Sequence, residues 1–130
     1  MKGQAVRIGW VRADITDGVG NTCFGNEAGK NIASAHNNTM IGNGAGSVNV
    51  TGNGNVIVGS SMDVGASDTS NAIGLGFNFA VSANDFSFGK ASNVVTNDFD
   101  ADANWSRSSD ERLKKNITAV TLGLDFINDL

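Results

Sequence analysis

Proline and tyrosine are missing from this 130-residue chain, and Cys23 and His36 are each the only residue of their kind. A single cysteine excludes an intrachain disulfide and a cysteine metal cluster. Cys23 stands in an apolar slot, where an inert buried thiol is the expectation. The lone His36 lies in the polar string Ala35-His36-Asn37-Asn38. It leaves no second imidazole for a histidine metal site or a Ser–His pair within one chain, and a solvated loop residue is expected. Three copies converging on a symmetry axis is the alternative. Leucine is scarce too: between Asp14 and Ser106 there is only Leu75. No run of about eighteen apolar residues occurs, so no membrane-spanning helix and no membrane partner are expected. Basic residues are few over the same stretch, with nine acidic residues against Lys30 and Lys90 between Ala13 and Ser106. That sign of charge repels phosphates, so no nucleic-acid partner is expected. Gly52-Asn53-Gly54 and Gly74-Leu75-Gly76 lack the Lys-Ser/Thr or the following helix that phosphate binding requires, and no cofactor or metal is expected.

What the chain has in excess is glycine, with 17 residues, and asparagine, arranged in a repeat. Asn21-Thr22-Cys23-Phe24-Gly25 is echoed by Asn38-Thr39-Met40-Ile41-Gly42 and Asn55-Val56-Ile57-Val58-Gly59, then more weakly by Ala72-Ile73-Gly74-Leu75-Gly76. The closing glycines Gly25, Gly42, Gly59 and Gly76 are 17 residues apart, and Asp85-Phe86-Ser87-Phe88-Gly89 follows after 13. This regularity argues against a disordered linker, the other reading of such a composition. A 17-residue period is too short for helical-repeat arrays or propeller blades. It fits one coil of an all-β, parallel β-solenoid or β-roll. Five coils stacked at about 4.8 Å would stand roughly 24 Å tall. The apolar residues before each glycine are expected to point into the stack, and Gly25, Gly42, Gly59, Gly76 and Gly89 to make corners that need positive φ. Stacked asparagines would bond from coil to coil. So thin a stack has little interior, so a parallel homotrimer sharing an apolar axis is expected.

The string Asn38-Thr39-Met40-Ile41-Gly42-Asn43-Gly44-Ala45 resembles the left-handed parallel β-roll heads of trimeric autotransporter adhesins, and similar repeats occur in phage tail-fibre shafts. The resemblance covers about Asn21 to Ala91; it implies an architecture and does not specify a ligand.

The flanks differ from the repeat. Gln4 to Arg12 alternates apolar and polar residues, with Val6, Ile8 and Trp10 on one face and Arg7 on the other. This predicts a strand that caps the first coil or attaches to another protein. Asn93 to Asn104 carries Asp98, Asp100 and Asp102. It lacks the glycine and terminal glutamate of a calcium loop and reads as a solvated connector. From Ser109 the sequence becomes charged, with Leu113, Ile117, Val120, Leu124, Ile127 and Leu130 at helical spacing, broken near Gly123. A short C-terminal helical tip that trimerises is predicted. The expected organisation is residues 1–20 as strand cap or attachment segment, 21–92 as β-roll, 93–108 as acidic connector and 109–130 as helical segment.

Ser109-Asp110-Glu111-Arg112-Leu113-Lys114-Lys115-Asn116-Ile117 resembles the opening of the intramolecular chaperone domain of endosialidase-type phage tailspikes and tail fibres. The resemblance implies self-cleavage between Ser108 and Ser109, with Ser109 as nucleophile and Lys114 as base. Only 22 residues run from Ser109 to Leu130, far fewer than a complete chaperone, so a structural remnant is favoured over active processing. The function expected is that of a non-enzymatic virion protein, a homotrimeric phage tail-fibre segment taking part in host attachment. The N-terminus lacks an apolar signal region, which fits exposure after host lysis. Its partners would be its own copies, other virion tail proteins and a host receptor or glycan, met at the loops Asn31–Asn37, Ser47–Asn53 and Gly65–Ser70. The alternatives are a self-cleaving fibre precursor using Ser109 and Lys114, and the head of a bacterial trimeric adhesin. An ice-binding face is disfavoured, because only Thr22 and Thr39 align.

Overall fold

The computed structural model describes residues 6–8 and 17–101. These residues form nine strands: β1 Val6–Ile8, β2 Thr22–Phe24, β3 Thr39–Ile41, β4 Val56–Val58, β5 Asp63–Val64, β6 Ile73–Phe77, β7 Ala80–Val81, β8 Asp85–Lys90 and β9 Asn93–Asp98. The larger sheet has the order β1-β2-β3-β4-β6-β8-β9, and β5 pairs with β7 in a second sheet. Every pairing up to β8 is parallel. The described residues are therefore all-β, a parallel β-solenoid of about four turns.

The sequence period is the structural register. Thr22 lies opposite Thr39, Thr39 opposite Val56 and Val56 opposite Ile73, one 17-residue step each time. The shorter last step has a definite location. β7 still pairs with β5 at a step of 17, Asp63 to Ala80, while β8 pairs with β6 at a step of 13, Ile73 to Phe86. The missing four residues thus come from the loop that follows the second sheet.

Three-residue strands alternate side-chain directions, so one residue per strand faces inward and two face out. Cys23, Met40 and Ile57 are the inward residues of β2, β3 and β4. The same register position in β6 is Gly74, where an added Cβ would meet Met62 Cε at 3.1 Å and Val81 Cγ1 at 3.2 Å. The bulk has moved to the opposite wall: Met62 continues the column of Ala28 and Ala45, and fills the space Gly74 leaves. With Ile32, Ala35, Val64, Ala72 and Val81 these side chains make a narrow single-file core.

The expectation that the apolar residues before each glycine point inward holds only for the central one. Phe24, Ile41, Leu75 and Phe88 face outward, because they follow the inward residue by one position on a pleated strand. A second difference concerns the segment read as a solvated connector. Over Asn93–Asp98 it is β9, which turns back through Ala91 and Ser92 and pairs antiparallel with β8, Phe88 opposite Val95. Ser92 has φ 68°, and Ser87 and Thr96 hydroxyls bond across the pair at 2.8 Å. The hairpin ends the parallel stack on the β8 side and makes β9 the edge strand of the sheet.

The wall beyond the corner glycines uses left-handed backbone in columns. Glu27, Gly44, Ser61 and Asn78 occupy equivalent places with φ of 56°, 66°, 53° and 55°. Glutamate is the costliest occupant of that conformation, and at Gly44 an added Cβ would meet nothing within 4 Å. The Glu27–Lys30 ion pair at 3.0 Å is a surface contact worth little. Glu27→Gly is expected to raise unfolding stability by about 0.5–1 kcal/mol, seen as a higher urea midpoint at unchanged m.

Candidate functional site

The predicted corner glycines fall on one line. Gly25, Gly42, Gly59, Gly76 and Gly89 have φ of 133°, 129°, 136°, 148° and 142°, a region open to glycine alone. The first four also lie against the backbone of the next coil, and Gly89 against the β9 backbone at Asn93. A Cβ on Gly25 would stand 2.6 Å from the Gly42 carbonyl oxygen; on Gly42 it would meet the Gly59 carbonyl, on Gly59 that of Gly76, and on Gly76 that of Gly89. Conformation and contact therefore demand the same residue, which is why glycine recurs at the coil period.

Inside the preceding corner runs an asparagine ladder. Asn21, Asn38 and Asn55 are buried. The Oδ1 of each accepts from the backbone N–H one coil on: Asn38 N at 3.1 Å, Asn55 N at 2.9 Å and Ala72 N at 2.9 Å. The Nδ2 of each donates to a carbonyl across the coil, that of Ala35 at 2.7 Å, Gly52 at 2.9 Å and Thr69 at 2.7 Å. An amide supplies both an acceptor and a donor from one short side chain, so these interior backbone groups are satisfied without water. The ladder stops at Ala72, where the repeat was weakest in sequence.

Outside the same wall lie two rows in register, one apolar throughout and one mixed. In register, Ile8, Phe24, Ile41, Val58, Leu75 and Phe88 form one, and Val95 of β9 extends it. Ile8 is 59% exposed, Phe24 52% and Val95 52%. Thr22, Thr39, Val56, Ile73 and Phe86 form the other row, polar at the N-terminal end and apolar at the C-terminal end. Only two threonines align, so the ice-binding pattern ends after one step. The sheet stands about 29 Å tall, six inter-strand steps of about 4.8 Å.

The first row contains a copy of the repeat that the sequence reading missed. β1 joins the sheet as one more parallel strand, Val6 opposite Thr22. Its signal was present as Ile8-Gly9, an echo of Phe24-Gly25 at an interval of 16.

Other sequence candidates are not brought together. Ser108, Ser109 and Lys114 lie outside the described residues, as does the expected C-terminal helix. Asp98 Oδ1 accepts from Asp100 N at 2.9 Å, and Asp100 Oδ2 accepts from Asn84 Nδ2 at 2.6 Å, so these carboxylates bond within the last corner. Among the described residues no group of three or more histidine, cysteine, aspartate or glutamate side chains is placed to hold a metal ion. His36, expected as a solvated loop residue, is half-buried, and its Nδ1 accepts from the Val19 N–H at 3.1 Å. No helix among the described residues is long and apolar enough to cross a membrane.

The geometry defines a parallel β-solenoid with an internal amide ladder and an apolar outer wall. Comparison with protein-family models, with curated proteins and with solved structures finds no match.

Proposed function

We propose that this chain is a structural segment of a fibre, assembled as a parallel homotrimer along the outer wall of its larger sheet. The observation that carries the reading is the pair of outward rows, above all Ile8, Phe24, Ile41, Val58, Leu75 and Phe88 in register. A contiguous exposed apolar face of this length marks a protein contact rather than a solvated surface. Its rows repeat at the strand spacing, so the partner that matches them rung for rung is another copy stacked in the same direction. Two rows on one wall offer one to each neighbour around a three-fold axis. The single-file core points the same way, because one stack buries too little apolar surface to be comfortable alone.

The setting rests on the sequence. The resemblance of Ser109 to Ile117 to the chaperone opening of phage tailspikes supports a virion tail fibre exposed outside the host. Other tail proteins would then be neighbours, and the loops Asn31–Asn37, Ser47–Asn53 and Gly65–Ser70 would face a host receptor or glycan. The test is solution mass by light scattering. A value near three times 13.4 kDa is expected, and a folded monomer overturns the proposal. Leu75→Lys combined with Ile41→Lys should lower the mass towards one chain, since a buried unpaired charge at an interface is strongly unfavourable.

A further inference from the structure

The loop corner next to the asparagine ladder is closed by a clasp of two hydrogen bonds that recurs in three consecutive coils. The carbonyls of Val19, His36 and Asn53 accept from the N–H groups of Asn37 at 2.8 Å, Gly54 at 3.0 Å and Asn71 at 2.9 Å. The N–H groups of the same three residues donate to side chains one coil on: Val19 to His36 Nδ1 at 3.1 Å, His36 to Asn53 Oδ1 at 2.7 Å and Asn53 to Ser70 Oγ at 2.9 Å. The three acceptors are chemically different, and only one of them can be switched off. Amide and hydroxyl oxygens keep their lone pairs at any ordinary pH. An imidazole nitrogen loses its lone pair when it binds a proton, and imidazole is the side chain that changes charge in the mildly acid to neutral range.

We infer that His36 is an acid-sensitive rung that holds the Val19 N–H at neutral pH and releases that one amide in acid, leaving the Asn37 bond in place. With Nδ1 bare, Val19 is held at both its N–H and its carbonyl. With Nδ1 protonated, the Val19 N–H faces another N–H, and only the bond from Asn37 N remains. The clasps at His36 and Asn53 are untouched, so the effect is confined to the N-terminal side of the stack. The backbone on either side of the His36 corner is residues 17–20 and 50–54. The first carries Asp17, whose N–H donates to Ala33 O at 3.3 Å; the second has no titratable side chain. Attraction between Asp17 and a protonated ring would hold the ring near the corner, yet it cannot restore an acceptor for Val19, so the signature is specific to that amide.

The experiment is amide hydrogen exchange on the intact protein by NMR at pH 5.0 and pH 7.5, with intrinsic rates divided out and Asn37 N–H as internal reference. The ratio of Val19 to Asn37 protection is expected to fall about five- to tenfold in acid, the worth of one hydrogen bond. In His36→Asn, which places in this corner the acceptor used in the next one, the ratio should stay constant between the two pH values. An unchanged ratio in the wild type overturns the inference, and so does an equal fall in His36→Asn. Should that variant fail to fold, the wild-type ratio alone decides.

Discussion

Replacing Gly59 by alanine is expected to destabilise the protein by about 3–5 kcal/mol, enough to unfold a marginally stable stack. Two costs add. The backbone at Gly59 has φ 136°, outside both the ordinary and the left-handed regions open to an L-residue. Relaxing φ would turn the corner and pull the chain off the β4 register. The second cost is steric: the new methyl would overlap the Gly76 carbonyl oxygen and stand 2.8 Å from its carbon and 2.9 Å from Met62 Cγ. The atoms it meets first are backbone of the adjoining coil, so the clash is relieved only by separating β4 from β6. Gly44→Ala is the control. Gly44 also has positive φ, 66°, but its Cβ would meet nothing within 4 Å. It should cost only about 1 kcal/mol, the strain of alanine in left-handed backbone. Urea unfolding of both variants measures the difference; equal losses would mean that neither the φ of 136° nor the contact between corners carries the expected cost.

Asn38→Ala is expected to cost about 3 kcal/mol, from a side chain with no part in the apolar core. Asn38 is fully buried and stands in the middle of the ladder. Its removal leaves the Asn55 N–H without the Oδ1 acceptor at 2.9 Å, and deletes the donor to Gly52 O and to Asn21 Oδ1. Gly52 O keeps a second donor in Asn49 Nδ2 at 3.0 Å, so most of the loss is the orphaned Asn55 amide and the broken link between coils. Asn38→Asp separates these terms. An ionised carboxylate still accepts from Asn55 N but turns an oxygen towards Gly52 O and Asn21 Oδ1, so burial and these oxygens disfavour the charged form. The folded-state pKa of the new carboxyl is then raised, and the variant should be more stable at pH 4 than at pH 7, losing stability as pH rises. Thermal melts at the two pH values read this directly. An Asn38→Asp variant that is equally stable at both would show that water reaches the ladder.

The repeat was legible because its two most constrained positions are chemically narrow. Corner glycine and ladder asparagine have no close substitutes, so they recur visibly at 25, 42, 59 and at 21, 38, 55. The inward and outward assignment was less legible. In Cys23-Phe24 or Met40-Ile41 both residues are apolar, and a two-residue apolar run carries no phase. The strand pleat sets that phase whatever the sizes: it turns the larger Phe24 out past Cys23, but keeps the larger Ile57 in and turns Val58 out. The β9 hairpin was hidden for another reason. Val94-Val95-Thr96 is β-branched and favours a strand, but so short a run between polar Asn93 and the acidic residues from Asp98 on is masked in the sequence, and only pairing with β8 fixes it.

The sequence by itself determined the period, the parallel stacking and the identity of the corner residues, because those depend on local backbone chemistry repeated at a fixed step. The tertiary structure alone decided which apolar side chains fill the interior and which form the outer wall, where the short last coil loses its residues, and that His36 serves as a rung. Those features depend on what lies one coil away, at contacts 13 to 17 residues distant, where a linear reading sees only neighbours.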